Sequence, residues 1–382
     1  MRSELVDLIN FSKSLYGNSD FIPLHEPCFT GDENRLVNEC LDSTFVSSVG
    51  KFVDQFEKEL ADFTGVKHVV VTSSGTSALH ISLLLAGVES NTEVITQSLS
   101  FVATCNAITY CGAEPIFVDV DRKTLSLSAD SLSEFLHKYA KIEDGHCINK
   151  LTKKTISACV PMHTFGHPCE IDQIKEICNK WSIPLVEDAA ESLGSQYKEQ
   201  YTGTFGLLSA ISFNGNKIIT AGGGGAILTN DSKLAKRAKH LTTTAKTTHK
   251  WELKHDEVGY NYRMPNLNAA LLCAQLSQLQ YFIDNKRDTA SKYSNFCKTN
   301  KIELIEEPNN ARSNYWLNTL LLNNYDEQQE FLEYANSHGL MSRPAWTLLN
   351  ELPMFSGCFS MPQITAKFLS KRLVNIPSSV RL

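Results

Sequence analysis

One lysine stands between a strand-like run and four consecutive glycines, in the segment ISFNGNKIITAGGGGAILTND at residues 211–231. A phosphate-binding P-loop needs its glycines before a Gly-Lys-Ser/Thr ending, whereas Gly222 to Gly225 follow Lys217. A dinucleotide-binding G-x-G-x-x-G pattern cannot be read through these glycines either. On spacing alone a solvated loop lysine is the leading interpretation, so the role of Lys217 depends on the rest of the chain.

The tripeptide Gly75-Thr76-Ser77 follows an apolar run, VKHVVVTSS at residues 66–74, and opens the segment GTSALHISLLLAG. The run is typical of a buried strand, and the segment has the apolar density of a helix that packs on a sheet. The first turn of such a helix presents free backbone N–H groups and the positive end of the helix dipole, which can bind a phosphate. The alternative is that Thr76 or Ser77 simply caps the helix.

Two further strand-like runs end next to residues that could do chemistry. IPLVE at 183–187 is followed by Asp188, with Glu191 one helical turn later. A carboxylate after an apolar strand is costly unless it has a cationic or hydrogen-bonding partner, although a helix N-cap explains Asp188 equally well. TQSLS at 96–100 is followed by Phe101, for which ordinary core packing is the alternative.

Together these features are the requirements of one cofactor, pyridoxal 5'-phosphate. It needs an anion site for its phosphate, an aromatic face for its ring, a carboxylate that keeps its pyridine nitrogen protonated, and a lysine for covalent attachment. Gly75 to Ser77, Phe101, Asp188 and Lys217 supply these groups in chain order. Lys217 is therefore predicted to be the covalent anchor.

The elements that must position these residues alternate between strands and helices from residue 66 to about residue 230. Such alternation predicts an α/β fold with a mostly parallel, doubly wound sheet, whose ligands lie at the C-terminal ends of its strands. After Pro265 one long helical pattern predicts a connector, and a smaller α/β unit follows it. We expect a large domain at residues 1–245, with an N-terminal helical arm at 1–20, and a connector helix with a small C-terminal domain at 246–382.

Length and composition exclude several other classes of protein. A chain of 382 residues with 42% hydrophobic content can bury a sizeable core. The formal net charge of -6 offers no basic stripe for nucleic acid, and the apolar runs are too short to cross a membrane. The 11 cysteines are scattered without a C-x-x-C pair, so we expect reduced thiols, no metal site and a cytoplasmic location.

Colinear motifs give the chain a resemblance to a known family. They include IPLHEP, SSGTSALH, SFVATCNAI, GAEPIFVDVD, VEDAAESLG, SFNGNKIITAGGGGAILTND, GYNYRMPNLNAA and VNIPSS. Over nearly its whole length the sequence resembles the DegT/DnrJ/EryC1/StrS sugar aminotransferases, which implies the type I fold of pyridoxal-phosphate enzymes. FIPLHEP, FVSSVGKFVD, KIITAGGGGA and SRPAWTLLNELPMF are most similar to the LegC branch, which acts on the way to UDP-N-acetylbacillosamine or legionaminic acid.

The resemblance also implies roles for individual residues. Ser77, with the backbone of Gly75 to Ser77, and Ser212 match phosphate ligands, and Phe101 matches the residue stacked on the ring. Asp188 matches the partner of the pyridine nitrogen, and Glu191 matches a position near the cofactor hydroxyl.

Other matches concern the partner subunit and the substrate. Asn261 matches a residue donated to the neighbouring subunit's phosphate, which implies a homodimer with shared active sites; a turn asparagine is the alternative. Arg343 and Trp346, in SRPAW, match a segment that faces the substrate, and His163 is a candidate sugar contact. A surface arginine, a core tryptophan and a satisfied core histidine are the respective alternatives. Many members of the family have glutamate where this chain has Gly223, so a role of that glutamate cannot be carried over.

The implied reaction is the transfer of the amino group of glutamate to C4 of a nucleotide-linked 4-keto-6-deoxy-N-acetylhexosamine. The cofactor would alternate with its pyridoxamine phosphate form, and Lys217 would serve as anchor and as proton carrier. The LegC-like segments favour a UDP-linked sugar, with a GDP-linked sugar as the alternative. A dehydratase of the same fold would have histidine in place of Lys217, and a noncatalytic regulator could keep the fold without the chemistry.

Overall fold

A computed structural model describes residues 1–17 and 19–382 of the chain. The α-helices are α1 (Ser3–Leu15), α2 (Glu33–Asp42), α3 (Lys51–Thr64), α4 (Gly75–Leu85), α5 (Ala103–Tyr110), α6 (Ala129–Tyr139), α7 (Ile171–Lys180), α8 (Ser232–Thr242), α9 (Asn266–Thr299), α10 (Tyr325–Ser337) and α11 (Ile364–Ser370). The strands of the N-terminal part are β1 (His68–Thr72), β2 (Glu93–Gln97), β3 (Glu114–Val118), β4 (Ala140–Glu143), β5 (His146–Asn149), β6 (Ile156–Val160), β7 (Val186–Asp188), β8 (Gln196–Tyr197), β9 (Gln200–Tyr201), β10 (Leu208–Ser212) and β11 (Gly225–Thr229). Those of the C-terminal part are β12 (Glu303–Leu304), β13 (Ala311–Arg312), β14 (Asn318–Leu321), β15 (Arg343–Pro344) and β16 (Leu373–Ile376).

The central sheet is mostly parallel. Strands β3, β2 and β6 pair in parallel, and β7 pairs in parallel with β10. Parallel bridges from Cys159 to Leu185 and from Met162 to Asp188 join these two sets at β6 and β7. Strand β11 runs antiparallel to both β10 and β1 at one side of the sheet. The structure confirms the predicted α/β fold with a mostly parallel sheet.

Both faces of the sheet are covered by helices because its strands are apolar on both sides. Along β1, Val69 and Val71 pack with residues of α3 and the first half of α9, whereas Val70 packs on the other face with α4, α5 and α8. This alternation follows from the two-residue period of a strand. The sheet is therefore doubly wound, and its C-terminal strand ends open towards the C-terminal part of the chain.

The start of β11 passes very close to the start of α4. A Cβ added to Gly225 would lie 2.4 Å from the carbonyl carbon of Ser74 and 2.6 Å from the backbone nitrogen of Gly75. No side chain fits at that distance, so glycine at position 225 allows the strand to support the helix N-terminus. This contact accounts for one of the glycines that follow Lys217.

A smaller antiparallel sheet, with the order β12-β14-β16-β15, forms the core of the C-terminal part. Helix α1 belongs to this core: Leu5 and Leu8 pack with Tyr293 and Phe331. The segment 1–20 was expected to be an arm of the large domain, so its placement is corrected by these contacts. The pattern of apolar residues predicted the helix, but it could not identify the surface that buries them.

Helix α9 contributes to two cores. Residues from Ala269 to Ile283 pack with the central sheet and α3, and Tyr293 and Cys297 pack with the C-terminal sheet. The division of the chain at residues 245 and 246 remains a prediction. Within residues 1–17 and 19–382, no helix is both long and apolar enough to cross a bilayer.

Candidate active site

A cavity of about 360 Å³ opens where β7 and β10 end. It is lined by Ser74, Gly75, Thr76, Leu79, Phe101, Ala103, Met162, Asp188, Ala190, Glu191, Ser212, Asn214, Asn216, Lys217, Gly223, Gly224, Trp316 and Trp346. The residues come from the start of α4, from loops after the central strands, and from the C-terminal part of the chain. Residues that are far apart in the sequence thus converge on one concave surface.

Asp188 is a buried carboxylate at the end of β7. Its Oδ2 accepts a 2.7 Å hydrogen bond from the Thr104 hydroxyl, and its Oδ1 accepts a 3.2 Å bond from the Ala190 N–H. Burial raises the pKa of Asp188 in spite of these bonds. In the part of the chain that the structure describes, no cationic side chain lies within ion-pair distance of this carboxylate. A protonated ring nitrogen in the cavity would supply the missing cation.

The N-terminus of α4 forms the second wall of the cavity. Ser74 is the N-cap, and its Oγ accepts a 3.0 Å hydrogen bond from the Ser77 N–H. The N–H groups of Gly75 and Thr76 precede the first intrahelical acceptor, so they remain available to an anion. Ser77 does not line the cavity; it is buried, and its hydroxyl contacts those of Ser73 and Ser74.

Ser212, at the end of β10, packs directly on this helix start. A Cβ at Gly75 would lie 2.8 Å from the Cβ of Ser212 and 3.1 Å from its Oγ. The Ser212 hydroxyl is therefore held beside the free N–H groups of α4. An anion such as a phosphate could bind to both together.

Lys217 lies in the loop after β10, and its backbone N–H donates to the carbonyl of Asn214. Its Nζ lies 3.4 Å from Oε1 of Glu191 and 3.9 Å from the centroid of the Trp316 ring. Only 12% of the side chain is exposed. The amine therefore faces the cavity between a carboxylate and an aromatic face rather than solvent, so the solvated-loop interpretation does not hold.

Glu191 is buried, with its second oxygen occupied: Oε2 accepts a 2.9 Å hydrogen bond from the Phe165 N–H. Burial raises the pKa of Glu191 to about 7, although the Lys217 ammonium acts in the opposite direction. Phe165 itself has φ 56° and ψ 17°, a left-handed conformation that is unfavourable for a bulky residue. The fold thus maintains backbone strain at the point where Glu191 is held.

Two aromatic side chains from the predictions also line the cavity. Phe101 follows β2 and is 51% exposed, which leaves a ring face available for stacking. Trp346 is half-buried, and its ring lies 4.9 Å from that of Phe165. Together with Gly75, Thr76, Asp188, Glu191, Ser212 and Lys217, these are the predicted site residues that the structure brings to the cavity.

Besides Ser77, three predicted residues do not line it. His163 is fully buried: Nε2 contacts Oε2 of Glu187 at 3.1 Å, and Nδ1 accepts from the Cys169 N–H. Because both ring nitrogens are occupied, the expected sugar contact of His163 is corrected to a structural role.

Arg343 is exposed on β15, where its guanidinium donates to Asn336 and to the Ser342 carbonyl. Asn261 is also exposed, and it accepts a 3.1 Å bond from Arg263. Neither side chain reaches the cavity of its own chain. Their predicted contacts with the diphosphate and with a neighbouring subunit stay predictions.

Sequence reasoning missed several residues of the site, among them Thr104, Asn216 and Trp316. Thr104 lies one helical turn after Phe101, so the strand-end rule could have found it. Trp316 comes from the segment between β13 and β14, and no local pattern connects that segment with Lys217.

The geometry fits pyridoxal phosphate. A buried carboxylate without a cationic side chain beside it, free N–H groups at a helix start, an exposed aromatic ring and a mostly buried lysine face one cavity. Each of these groups meets one requirement of the cofactor.

Comparison with known proteins agrees with this interpretation. The profile of the DegT/DnrJ/EryC1/StrS aminotransferase family matches residues 27–382. GDP-perosamine synthase from Escherichia coli O157:H7 is 37% identical over 358 residues, which are 94% of this chain and 93% of the relative. GDP-perosamine synthase from Vibrio cholerae is 33% identical over 365 residues, or 94% of each chain.

Among solved structures, the chain is similar to PseC from Helicobacter pylori, an aminotransferase involved in the biosynthesis of pseudoaminic acid. The two share 25% identity with a TM-score of 0.84, over 94% of this chain and 93% of the other. The chain therefore belongs to the DegT/DnrJ/EryC1/StrS aminotransferase family, whose members are pyridoxal-phosphate-dependent sugar aminotransferases.

Proposed function

We propose that the protein moves the amino group of glutamate to C4 of a nucleotide-linked 4-keto-6-deoxyhexose. The products are 2-oxoglutarate and a 4-amino-4,6-dideoxy sugar, still linked to its nucleotide. The observation that carries this proposal is the convergence of Lys217, Asp188 and the N-terminus of α4 on one cavity, in a chain of the sugar aminotransferase family.

Binding of the cofactor is assigned to the buried half of the cavity. Pyridoxal phosphate supplies a protonated ring that takes up the electron pair left behind when a proton leaves the amino-bearing carbon. Asp188 would hold the ring nitrogen protonated, and Phe101 would cover a ring face. Ser212 and the N–H groups of Gly75 and Thr76 would bind the phosphate.

Lys217 acts twice in this scheme. Its amine would attach the cofactor covalently, and once released by glutamate it would be the group that accepts and carries the proton from the α-carbon of glutamate. Glu191 lies within 3.4 Å of this amine and is partly protonated near neutral pH because burial raises its pKa to about 7. Its ionised form can stabilise the amine as an ammonium group while the proton is in transit.

A GDP-linked sugar is the favoured substrate. Two relatives that are 37% and 33% identical over most of the chain are GDP-perosamine synthases. A UDP-linked N-acetylhexosamine is the second candidate, supported by the LegC-like segments FVSSVGKFVD and SRPAWTLLNELPMF. Trp346, at the cavity wall, is assigned to the sugar or base, and Arg343 to the diphosphate.

The active unit in this proposal is a homodimer whose subunits share their active sites. The segment from 246 to 258 projects apolar side chains: Trp251, Leu253 and Val258 are 76%, 76% and 82% exposed. Exposed apolar groups of this size are typical of a contact surface. Asn261 follows the same segment and is exposed, so it is free to reach the phosphate site of a second copy.

The function is tested by the release of 2-oxoglutarate from glutamate in the presence of a panel of GDP- and UDP-linked 4-keto sugars. We expect turnover with the GDP-linked 4-keto-6-deoxyhexose and none with the Lys217→Ala variant. Preference for a UDP-linked N-acetyl sugar would select the second candidate. Turnover of an aromatic keto acid in preference to all sugars would refute the sugar assignment.

A further inference from the structure

Trp316 lines the cavity, and its side chain contacts both Lys217 and the residue before it. Its ring centroid lies 3.9 Å from Nζ of Lys217, and its indole N–H donates a 2.7 Å hydrogen bond to the carbonyl of Asn216. The indole therefore holds the backbone at the base of the lysine and, at the same time, faces the end of its side chain. Only 5% of Trp316 is exposed, so this contact is made away from water.

The position of Trp316 is determined on both sides by buried hydrogen bonds. Its backbone N–H donates to Oδ1 of Asn314, whose amide group in turn donates to the carbonyls of Glu191 and Leu193. Its carbonyl accepts a 3.2 Å bond from Nζ of Lys286 on α9. Lys286 is fully buried and donates also to the Ser378 carbonyl.

The contacts of Lys217 form a closed circuit. From Nζ the circuit runs to the Trp316 ring and along the chain to Leu317, whose N–H donates to the Phe165 carbonyl. The Phe165 N–H donates to Oε2 of Glu191, and Oε1 of Glu191 lies 3.4 Å from Nζ of Lys217, which closes the circuit. The two groups that face the amine are therefore connected through one strained residue, and they cannot move independently.

We propose that Trp316 is a positioning residue for Lys217, which holds the free amine at Glu191 whenever the amine is not bonded to the cofactor. An aromatic face attracts an ammonium group, most strongly where water is excluded. The amine that glutamate displaces thus has a defined resting place within reach of the cavity. This inference rests on the proposed function, in which Lys217 leaves the cofactor when glutamate binds and returns at the end of the cycle.

The test measures the reactivity of Lys217 rather than turnover. The full-length protein, freed of cofactor, is treated with a short acylating reagent at fixed pH, and the labelling rate of each lysine is followed by peptide mass spectrometry. Acylation requires that the amine be accessible to the reagent, so a lysine whose amine is covered by an aromatic face reacts slowly. Lys298, whose side chain is 67% exposed, is the internal reference.

Trp316→Leu is compared with Trp346→Leu, which removes the same volume from the same cavity without touching Lys217. We expect labelling of Lys217 to accelerate about tenfold in Trp316→Leu and less than twofold in Trp346→Leu. Trp316→Phe keeps an aromatic face and should remain within about threefold of the wild type. Trp316→Met repeats the test if the leucine variant does not fold.

Equal labelling rates in the two leucine variants, or fast labelling in Trp316→Phe, would overturn the proposal. A protein that transaminates no sugar but still shows the Trp316-specific acceleration would refute the proposed function and leave the contact in place. As a second readout in the active enzyme, Trp316→Leu should slow the glutamate and sugar half-reactions by the same factor, since Lys217 serves both.

Discussion

The hydroxyl of Thr104 donates a 2.7 Å hydrogen bond to Oδ2 of Asp188, and both groups are buried. This bond favours the ionised carboxylate against burial, which raises the pKa of Asp188. The site thus retains a carboxylate that can hold a ring nitrogen protonated. Thr104 is one turn from the exposed Phe101, so one short segment supplies both an aromatic face and a support for Asp188.

Thr104→Val should lower kcat of the glutamate half-reaction about tenfold, because a bond to a charged group is lost while the shape is kept. Asp188→Asn should lower the same kcat by orders of magnitude more, since a neutral amide cannot hold the ring nitrogen protonated. Single-turnover absorbance measurements give both values. Thr109→Val is the matched control: this threonine is exposed on the same helix, and its hydroxyl bonds to the Cys105 carbonyl. Wild-type rates in Asp188→Asn would reduce Asp188 to a structural residue.

Lys217→Ala should abolish transamination and leave a folded protein, because the change removes a half-buried functional group and little core volume. The wild type with its cofactor attached should absorb light at about 400 nm. Reduction with borohydride should then fix the cofactor to the peptide that contains Lys217. Recovery of the adduct on another lysine would contradict the assignment, and Lys198→Ala, at an exposed ion pair with Asp172, controls for the loss of a lysine.

The parts of the site that could be predicted from the sequence are those built from local signals. The start of α4, Asp188 and Lys217 each follow an apolar strand, and the ends of parallel strands meet at one edge of a sheet. Trp316 could not be predicted in this way, because it arrives from the C-terminal part through packing that no local pattern encodes. His163 also follows a strand. Its contact with Glu187 could not be predicted, because the two side chains meet only when β7 lies beside β6 in the sheet.

Glu191 gives the cofactor-free protein a pH-dependent stability. Burial raises its pKa to about 7 from the ordinary 4.5. A raised folded-state pKa means that the folded protein binds more protons than the unfolded chain between these values, so stability falls as the pH rises from about 4.5 to about 7. Glu191→Gln should remove this slope, which amounts to about 1–3 kcal/mol across the window.

Urea unfolding between pH 5 and pH 8 measures the slope. Glu143→Gln serves as the control, since Glu143 is exposed and pairs with Lys141. An unchanged slope in Glu191→Gln would show that Glu191 is ionised throughout this range.

Gly225→Ala should release the cofactor, because its Cβ would meet the Ser74 carbonyl carbon at 2.4 Å and displace the start of α4. We expect a loss of about 2 kcal/mol or more of stability, typical of an overpacked site that the backbone cannot relieve. Gly215→Ala is the matched control, since Gly215 does not line the cavity and the nearest atom to its added Cβ, the Gly222 carbonyl oxygen, lies at 4.0 Å. Titration with pyridoxal phosphate compares the two, and equal affinity would mean that β11 does not support the phosphate site.

Shared active sites predict that two inactive variants restore each other. In a dimer of Lys217→Ala with Asn261→Ala, one cavity has both substitutions, and the other combines an intact Lys217 with the intact Asn261 of the partner. Random pairing of equal amounts makes half of the dimers mixed, so activity should recover to about a quarter of the wild type, provided that the interface is isologous.

Co-expression with two different affinity tags isolates the mixed dimer, whose turnover per dimer should be about half that of the wild type. The mixed dimer of Lys217→Ala with wild type measures the activity of one intact site on its own. If Asn261 acted within its own chain, the mixed dimer would be no more active than Asn261→Ala alone, and the exposed segment from 246 to 258 would need another explanation.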